Sequence, residues 1–191
     1  MKRLLSLLLA FLLAGAPAFA STFGRIEIKP SLVQTHHANS TMITIAGSPT
    51  DIFTIFGSST KTIVVRYIEC AVANNGTGAM QLFLVKRSTT NSGGTSASMT
   101  TVPVDSANSA TTATNVLQYT ANPASLGTTV GTVSFATLGQ SVTGTVVLYD
   151  WTKSAQALTL RGTSQGLAVN GNGNGTANAG TIQCKIFYTE E

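Results

Sequence analysis

The chain has 191 residues, with 11 Lys or Arg, seven Asp or Glu and two His, for a formal net charge of +4. Charged residues are only 9% of the chain, against about 25% in ordinary soluble domains. Beyond Lys2-Arg3 the basic residues are scattered singly apart from Lys86-Arg87, with no stripe and no interleaved aromatics to stack bases, so nucleic acid is not an expected partner.

Residues 1–20 carry the parts of a secretory signal. Lys2-Arg3 is the basic start, Leu4 to Leu13 is an apolar run broken only by Ser6, and Ala18-Phe19-Ala20 fits the A-x-A exit. The apolar run is too short to span a bilayer by itself. The pattern predicts a signal-like N-terminal helix cut after Ala20, an exported protein, and a single domain over 21–191. The alternative is an uncleaved anchor or buried apolar tail. Membrane contact is expected only through this segment. Without Lys2 and Arg3 the chain keeps nine basic and seven acidic residues. A surface of Ser, Thr, Asn and Gly in place of Lys and Glu suits a protein that packs against copies of itself, or one that works outside the cell; a Thr-rich β surface is the plainer explanation.

In chain order, Gly24 to Pro30 alternates polar and apolar residues and stops at a proline, as a short edge strand does. Thr41 to Ile45 and Asp51 to Phe56 follow, each bounded by turn residues. Lys61 to Ala73 is the longest β-forming run, and Asn74-Asn75-Gly76-Thr77-Gly78 after it predicts a hairpin to a return strand over Ala79 to Lys86. Ser88 to Thr114 is nearly all Ser, Thr, Asn, Gly and Ala, which predicts a long surface excursion or a pair of polar strands, with Thr100 to Val104 as one of them. Val116 to Tyr119, Val133 to Phe135, Gln140 to Trp151, Ala157 to Leu160, Leu167 to Val169 and Thr181 to Tyr188 complete the series. About ten short strands with turns between them, and no helical pattern after residue 20, predict an all-β fold: an antiparallel β-sandwich, jelly-roll-like, preceded by the signal-like helix.

Cys70 and Cys184 lie in strand-like runs near opposite ends of the exported chain. Alternation places Cys70 with Val64, Ile68 and Val72, and Cys184 with Ile182 and Ile186, so both point inward. Two readings stand: a single disulfide, or two inert buried thiols.

No catalytic, cofactor or metal constellation emerges. Gly162-Thr163-Ser164-Gln165-Gly166 satisfies the G-x-S-x-G pattern of the hydrolase nucleophile elbow, which needs a helix after it and a histidine later in the chain. No histidine follows Ser164, and Leu167-Ala168-Val169 reads as strand, so a Gly-bounded turn is expected. His36-His37 are neighbours that point to opposite sides of an extended chain, and read as a pair of loop histidines rather than a metal site. Glu27, Asp51, Glu69, Asp105 and Asp150 are the carboxylates from which a glycosidase pair would have to come. Glu69 stands out because it interrupts an apolar face shared with Val65 and Tyr67, where pairing with a nearby Lys or Arg, or exposure to solvent, is expected. Tyr67, Tyr119, Tyr149 and Trp151 offer ring surfaces of the kind sugars use; Tyr149 and Trp151 are the candidate ligand-stacking pair, although aromatics in sandwiches are usually core.

Asp51 to Ile55, the small-residue turn after it, Lys61-Thr62 opening the long strand, and Asn74 to Thr77 resemble segments of small structural proteins of tailed-phage virions. Leu158 to Gly162, Gly166 to Asn170 and the closing Thr189-Glu190-Glu191 are similar in layout to their last strands. The resemblance implies a β-sandwich or jelly-roll module that decorates a capsid or sits on a tail or fibre, often as a trimer, among other virion proteins. It implies no catalytic residues. The expected protein is therefore a non-enzymatic structural or surface-binding module, homo-oligomeric, located in a virion or outside the cell. The alternatives are a secreted adhesin or carbohydrate-binding sandwich whose partners are cell-surface glycans and, third, a secreted hydrolase.

Overall fold

In the computed structural model, residues 33–44, 50–74, 79–139, 143–171 and 180–191 are described. The signal-like segment, the strand expected over 24–30 and the turn expected at 75–78 lie outside them.

The strands are β1 (Gln34–Asn39), β2 (Ile43–Thr44), β3 (Thr50–Phe56), β4 (Ile63–Asn74), β5 (Met80–Arg87), β6 (Thr95–Ser98), β7 (Thr101–Pro103), β8 (Thr114–Ala121), β9 (Thr129–Leu138), β10 (Gly144–Asp150), β11 (Leu158–Leu160), β12 (Gly166–Gly171) and β13 (Thr181–Glu190). Among the described residues the sole helical element is a 3-10 turn, Trp151–Lys153, which Asp150 caps by accepting from the Thr152 amide. Two antiparallel sheets form. One runs β10-β4-β13-β1-β7, with β11 beside β4 and β2 beside β13; the other runs β6-β8-β3-β12-β5-β9. Their inner faces share one core, from Ile63, Val65, Ile68, Val72, Ile182, Ile186 and Tyr188 on the first sheet to Phe53, Ile55, Met80, Leu82, Leu84, Leu167 and Val169 on the second. The sandwich expected from the strand pattern is what forms.

Four expectations are corrected. The hairpin between the long strand and its return does not form, because β4 and β5 belong to different sheets and face each other across the core. Asn- and Gly-rich links serve a crossing between layers as well as a tight turn, and both edges of β4 are taken by β13 and β10. Strict alternation also fails along β4. Phe187 pairs with Tyr67 but Tyr188 with Val65, so Arg66 is an extra residue that shifts the register. Val65, not Val64, therefore joins Ile68, Cys70 and Val72 inside. The histidine pair sits on β1, between β13 and β7, rather than in a loop, and His36 is fully buried. Finally, the brief strand expected over Val133 to Phe135 is the middle of a ten-residue strand, β9.

Within the polar stretch after Arg87, β6 and β7 are short strands at sheet margins. A buried charged group ties β5 to β3, β12 and the start of β9. Arg87 donates to Asp51 through Nε (3.1 Å) and Nη2 (2.6 Å), and through Nη1 to the Gly127 carbonyl (2.9 Å) and Thr129 Oγ1 (2.5 Å). Asn170 Nδ2 adds a further bond to Asp51 (2.9 Å). Asp51 and Arg87 are both buried, and this set of bonds is the saturation that a buried ion pair needs.

Candidate functional site

Cys70 and Cys184 are bonded, with an S–S distance of 2.07 Å. They are directly opposite on β4 and β13, and both are buried on the core face. The Cys184 amide and carbonyl bond instead to Ser40 (2.8 Å each). Cys184 therefore meets Cys70 as a non-hydrogen-bonded pair, the closer of the two antiparallel arrangements. The bridge stiffens the centre of the first sheet.

Tyr149 and Trp151 do not make one stacking surface. The Tyr149 ring is buried, and its hydroxyl accepts from the Leu158 amide (2.8 Å) and donates to the Gln156 carbonyl (3.3 Å). One edge of Tyr149 lines a 690 Å³ cleft with Lys86, Val133, Gln156 and Arg161, a cleft that Trp151 does not reach. Trp151 is 44% exposed and lies under the Arg66 guanidinium, 4.8 Å from its ring centre.

The aromatics that do gather lie on the outer face of the first sheet. The register aligns Val102, His37, Phe187, Tyr67 and Asp150 as one row across β7, β1, β13, β4 and β10. His37 stacks on Phe187 (5.6 Å between centres), and Phe187 meets Tyr67 edge-on (6.5 Å). The next row on the same face is Asn39, Lys185, Glu69 and Val147. Lys185 Nζ is 2.7 Å from Glu69 and 5.9 Å from the Tyr67 ring centre, and the Tyr67 hydroxyl donates a short bond to Glu69. Hydrogen bonds from Lys185 and then Tyr67 hold the Glu69 carboxyl below the usual carboxylate range. The same bond, helped by burial, pushes the Tyr67 phenol up to about 12. Asn39, Glu69, Ala71, Gln183, Cys184 and Lys185 enclose a 260 Å³ groove beside the aromatic row. Phe187 was readable as the outward member of the β13 alternation. His37 was not, because its strand has little apolar character.

A second polar group plugs one end of the core. Glu190, buried on β13, accepts from Thr111 Oγ1 (2.5 Å), the Thr112 amide (2.7 Å) and Thr112 Oγ1 (3.0 Å), and Lys61 Nζ lies 3.3 Å away. Burial raises its pKa, but these bonds outweigh it and leave the carboxyl below its ordinary value. His36 Nε2 is 3.8 Å from Glu190, and among the described residues neither ring nitrogen has a hydrogen-bond partner. Burial drives the His36 pKa down, against the pull of Glu190 and with the help of Lys61. The His36 ring stacks on Tyr188 (5.5 Å), whose phenol burial pushes up to about 12.

Ser164 lies exposed in the turn between β11 and β12, with a strand rather than a helix after it. Both glycines of its motif have structural reasons. Gly162 has a φ of +68°, and a Cβ on Gly166 would come within 2.4 Å of the Phe56 ring. Among the described residues no group of three or more His, Cys, Asp or Glu side chains is placed to hold a metal ion. No protein-family model matches the chain, and neither the curated proteins nor the solved structures give a match.

Proposed function

We propose that the chain is a non-enzymatic structural or surface-binding module that assembles with copies of itself, of the kind that decorates a tailed-phage capsid or sits on its tail or fibres. The observation that carries this is β9. It is a ten-residue strand at the margin of the second sheet, paired with β5 alone among the described residues, and contains no charged residue and no proline. Val130 and Phe135 on it are 65% and 70% exposed. Natural edge strands are usually blunted by charges, prolines or short length, because a bare edge pairs with another chain. An undefended one on a charge-poor protein suits a copy of the same strand as partner, and a trimer is the assembly to which the resemblance points.

The strand order supports the same reading. β1 pairs with β13, β3 with β12, β4 with β10 and β5 with β9, like a long hairpin rolled up, which gives the orders β10-β4-β13-β1 and β3-β12-β5-β9. That nesting supports reading the sandwich as a jelly roll, a fold common in viral capsid and lectin domains. Fold analogy alone assigns no role.

The disulfide favours an oxidising environment, a condition met at a virion surface as well as in the medium. It therefore also favours the second reading, a secreted adhesin or sugar-binding sandwich released by cleavage after Ala20. A hydrolase has the least support, given the setting of Ser164.

Light scattering on the chain and on Phe135→Lys tests the assembly. The wild type is expected to have several times the mass of one chain and the variant to fall toward the monomer, because a lysine on an edge strand opposes its pairing with another copy. A monomeric wild type at micromolar concentration would overturn the proposal.

A further inference from the structure

We infer that the groove and aromatic row on the outer face of the β10-β4-β13-β1-β7 sheet form a binding site for a neutral saccharide chain. This rests on the surface-binding part of the proposed function and not on self-assembly.

The row supplies apolar ring surface. His37, Phe187 and Tyr67 stand on three adjacent strands in matched register, so their rings follow one another across the sheet with centres 5.6 and 6.5 Å apart. A pyranose has an apolar C–H face and a rim of hydroxyls, and aromatic side chains with a polar tip suit a ligand of that kind. The groove supplies the rim contacts. Asn39 and Gln183 are amides with both donors and acceptors, and Glu69 and Lys185 add an acceptor and a donor. Gln183 donates to the Ser40 carbonyl (2.9 Å), and its amide oxygen has no partner among the described residues.

Charge selects within the saccharides. The groove holds one acid and one base, already joined at 2.7 Å. An anionic sugar would have to break Lys185 away from Glu69, and a cationic one would have to displace Lys185. A neutral ligand can hydrogen-bond to the pair as it stands. The site is also preorganised: its residues ride on central strands, and Cys184, bonded to Cys70, contributes to the groove itself. Rigid placement of this sort reduces the ordering cost of binding.

The test uses the whole chain on an array of neutral hexose oligosaccharides, with sialyllactose and a heparin tetrasaccharide as the acidic arm, followed by titration calorimetry on the best neutral probe. Binding to neutral probes, persisting in high salt and weakened about tenfold or more by Phe187→Ala and by Gln183→Ala, is the expected result. Gln183 is exposed, so its variant loses only the bond to the Ser40 carbonyl, a melting-temperature shift of about 2–4 °C at most that leaves the fold intact and the binding readout interpretable. The inference is overturned if no neutral probe binds, if the acidic arm binds better, or if both variants bind as wild type. An oligomer that ignores every neutral sugar would sink this inference and spare the assembly; a monomer that binds them would do the reverse.

Discussion

Burying His36 without a hydrogen-bond partner beside a carboxylate makes the protein's stability depend on pH in a definite direction. The His36 pKa is lowered in the folded state, so the unfolded chain takes up a proton first, and stability falls as pH drops below the unperturbed value of 6.5. The lowered carboxyls of Glu190 and Glu69 contribute stability that is full above their unperturbed 4.5 and is lost as pH falls through their folded values. Melting temperatures from about pH 8 to about pH 3 should show two successive declines. His36→Phe, which keeps a ring against Tyr188, should erase the first and leave the second. The Arg87–Asp51 pair makes a separate prediction: Arg87→Met leaves Asp51 buried with Asn170 as its remaining partner among the described residues, at a cost of about 3–5 kcal/mol in urea denaturation. Arg87→Met combined with Asp51→Leu should cost less than the single change, since no buried charge is stranded. Little of this was legible beforehand. Glu69 stood out because it broke an apolar face, and Lys185 with Tyr67 is its partner set. Asp51, Arg87 and Glu190 gave no local sign of burial, because a charged residue at a strand end reads as solvated until its partners, 36 or more residues away, are known.

At the level of elements, strand existence was easier to read than strand pairing. Apolar runs, β-branched in β3, β4, β10 and β13, marked β3, β4, β5, β10, β12 and β13, and polar residues hid β1 and most of β9. Pairing followed from which edges were already occupied, a global property, so the local turn signal after β4 misled. One inserted residue, Arg66, was enough to exchange Val64 and Val65 between faces, which period-two reasoning cannot anticipate. The disulfide is the element-scale feature with the largest expected effect. It joins β4 to β13 across a sequence separation of 114 residues, and in the chain-entropy account closing a loop of that order stabilises by about 4–5 kcal/mol. Cys70→Ala with Cys184→Ala should lower the unfolding free energy by that amount, and dithiothreitol should reproduce the loss in the wild type. A difference under about 1 kcal/mol would show that strand pairing alone holds the sheet.

For the whole molecule, composition and strand spacing were sufficient for the sandwich, because two sheets with one apolar face each have few other ways to bury them. The proposed binding face was not legible: its row of rings is assembled from β1, β13 and β4, and exists only once their register is fixed. In the proposed role the chain is a particle component whose β9 edge meets other copies and whose outer sheet face meets saccharide. Mass spectrometry of purified tailed-phage particles, set against the culture supernatant, tests that claim most directly. The chain is predicted in the particles. Its appearance solely in the supernatant, beginning at Ser21, would contradict the virion reading and leave the secreted adhesin in its place.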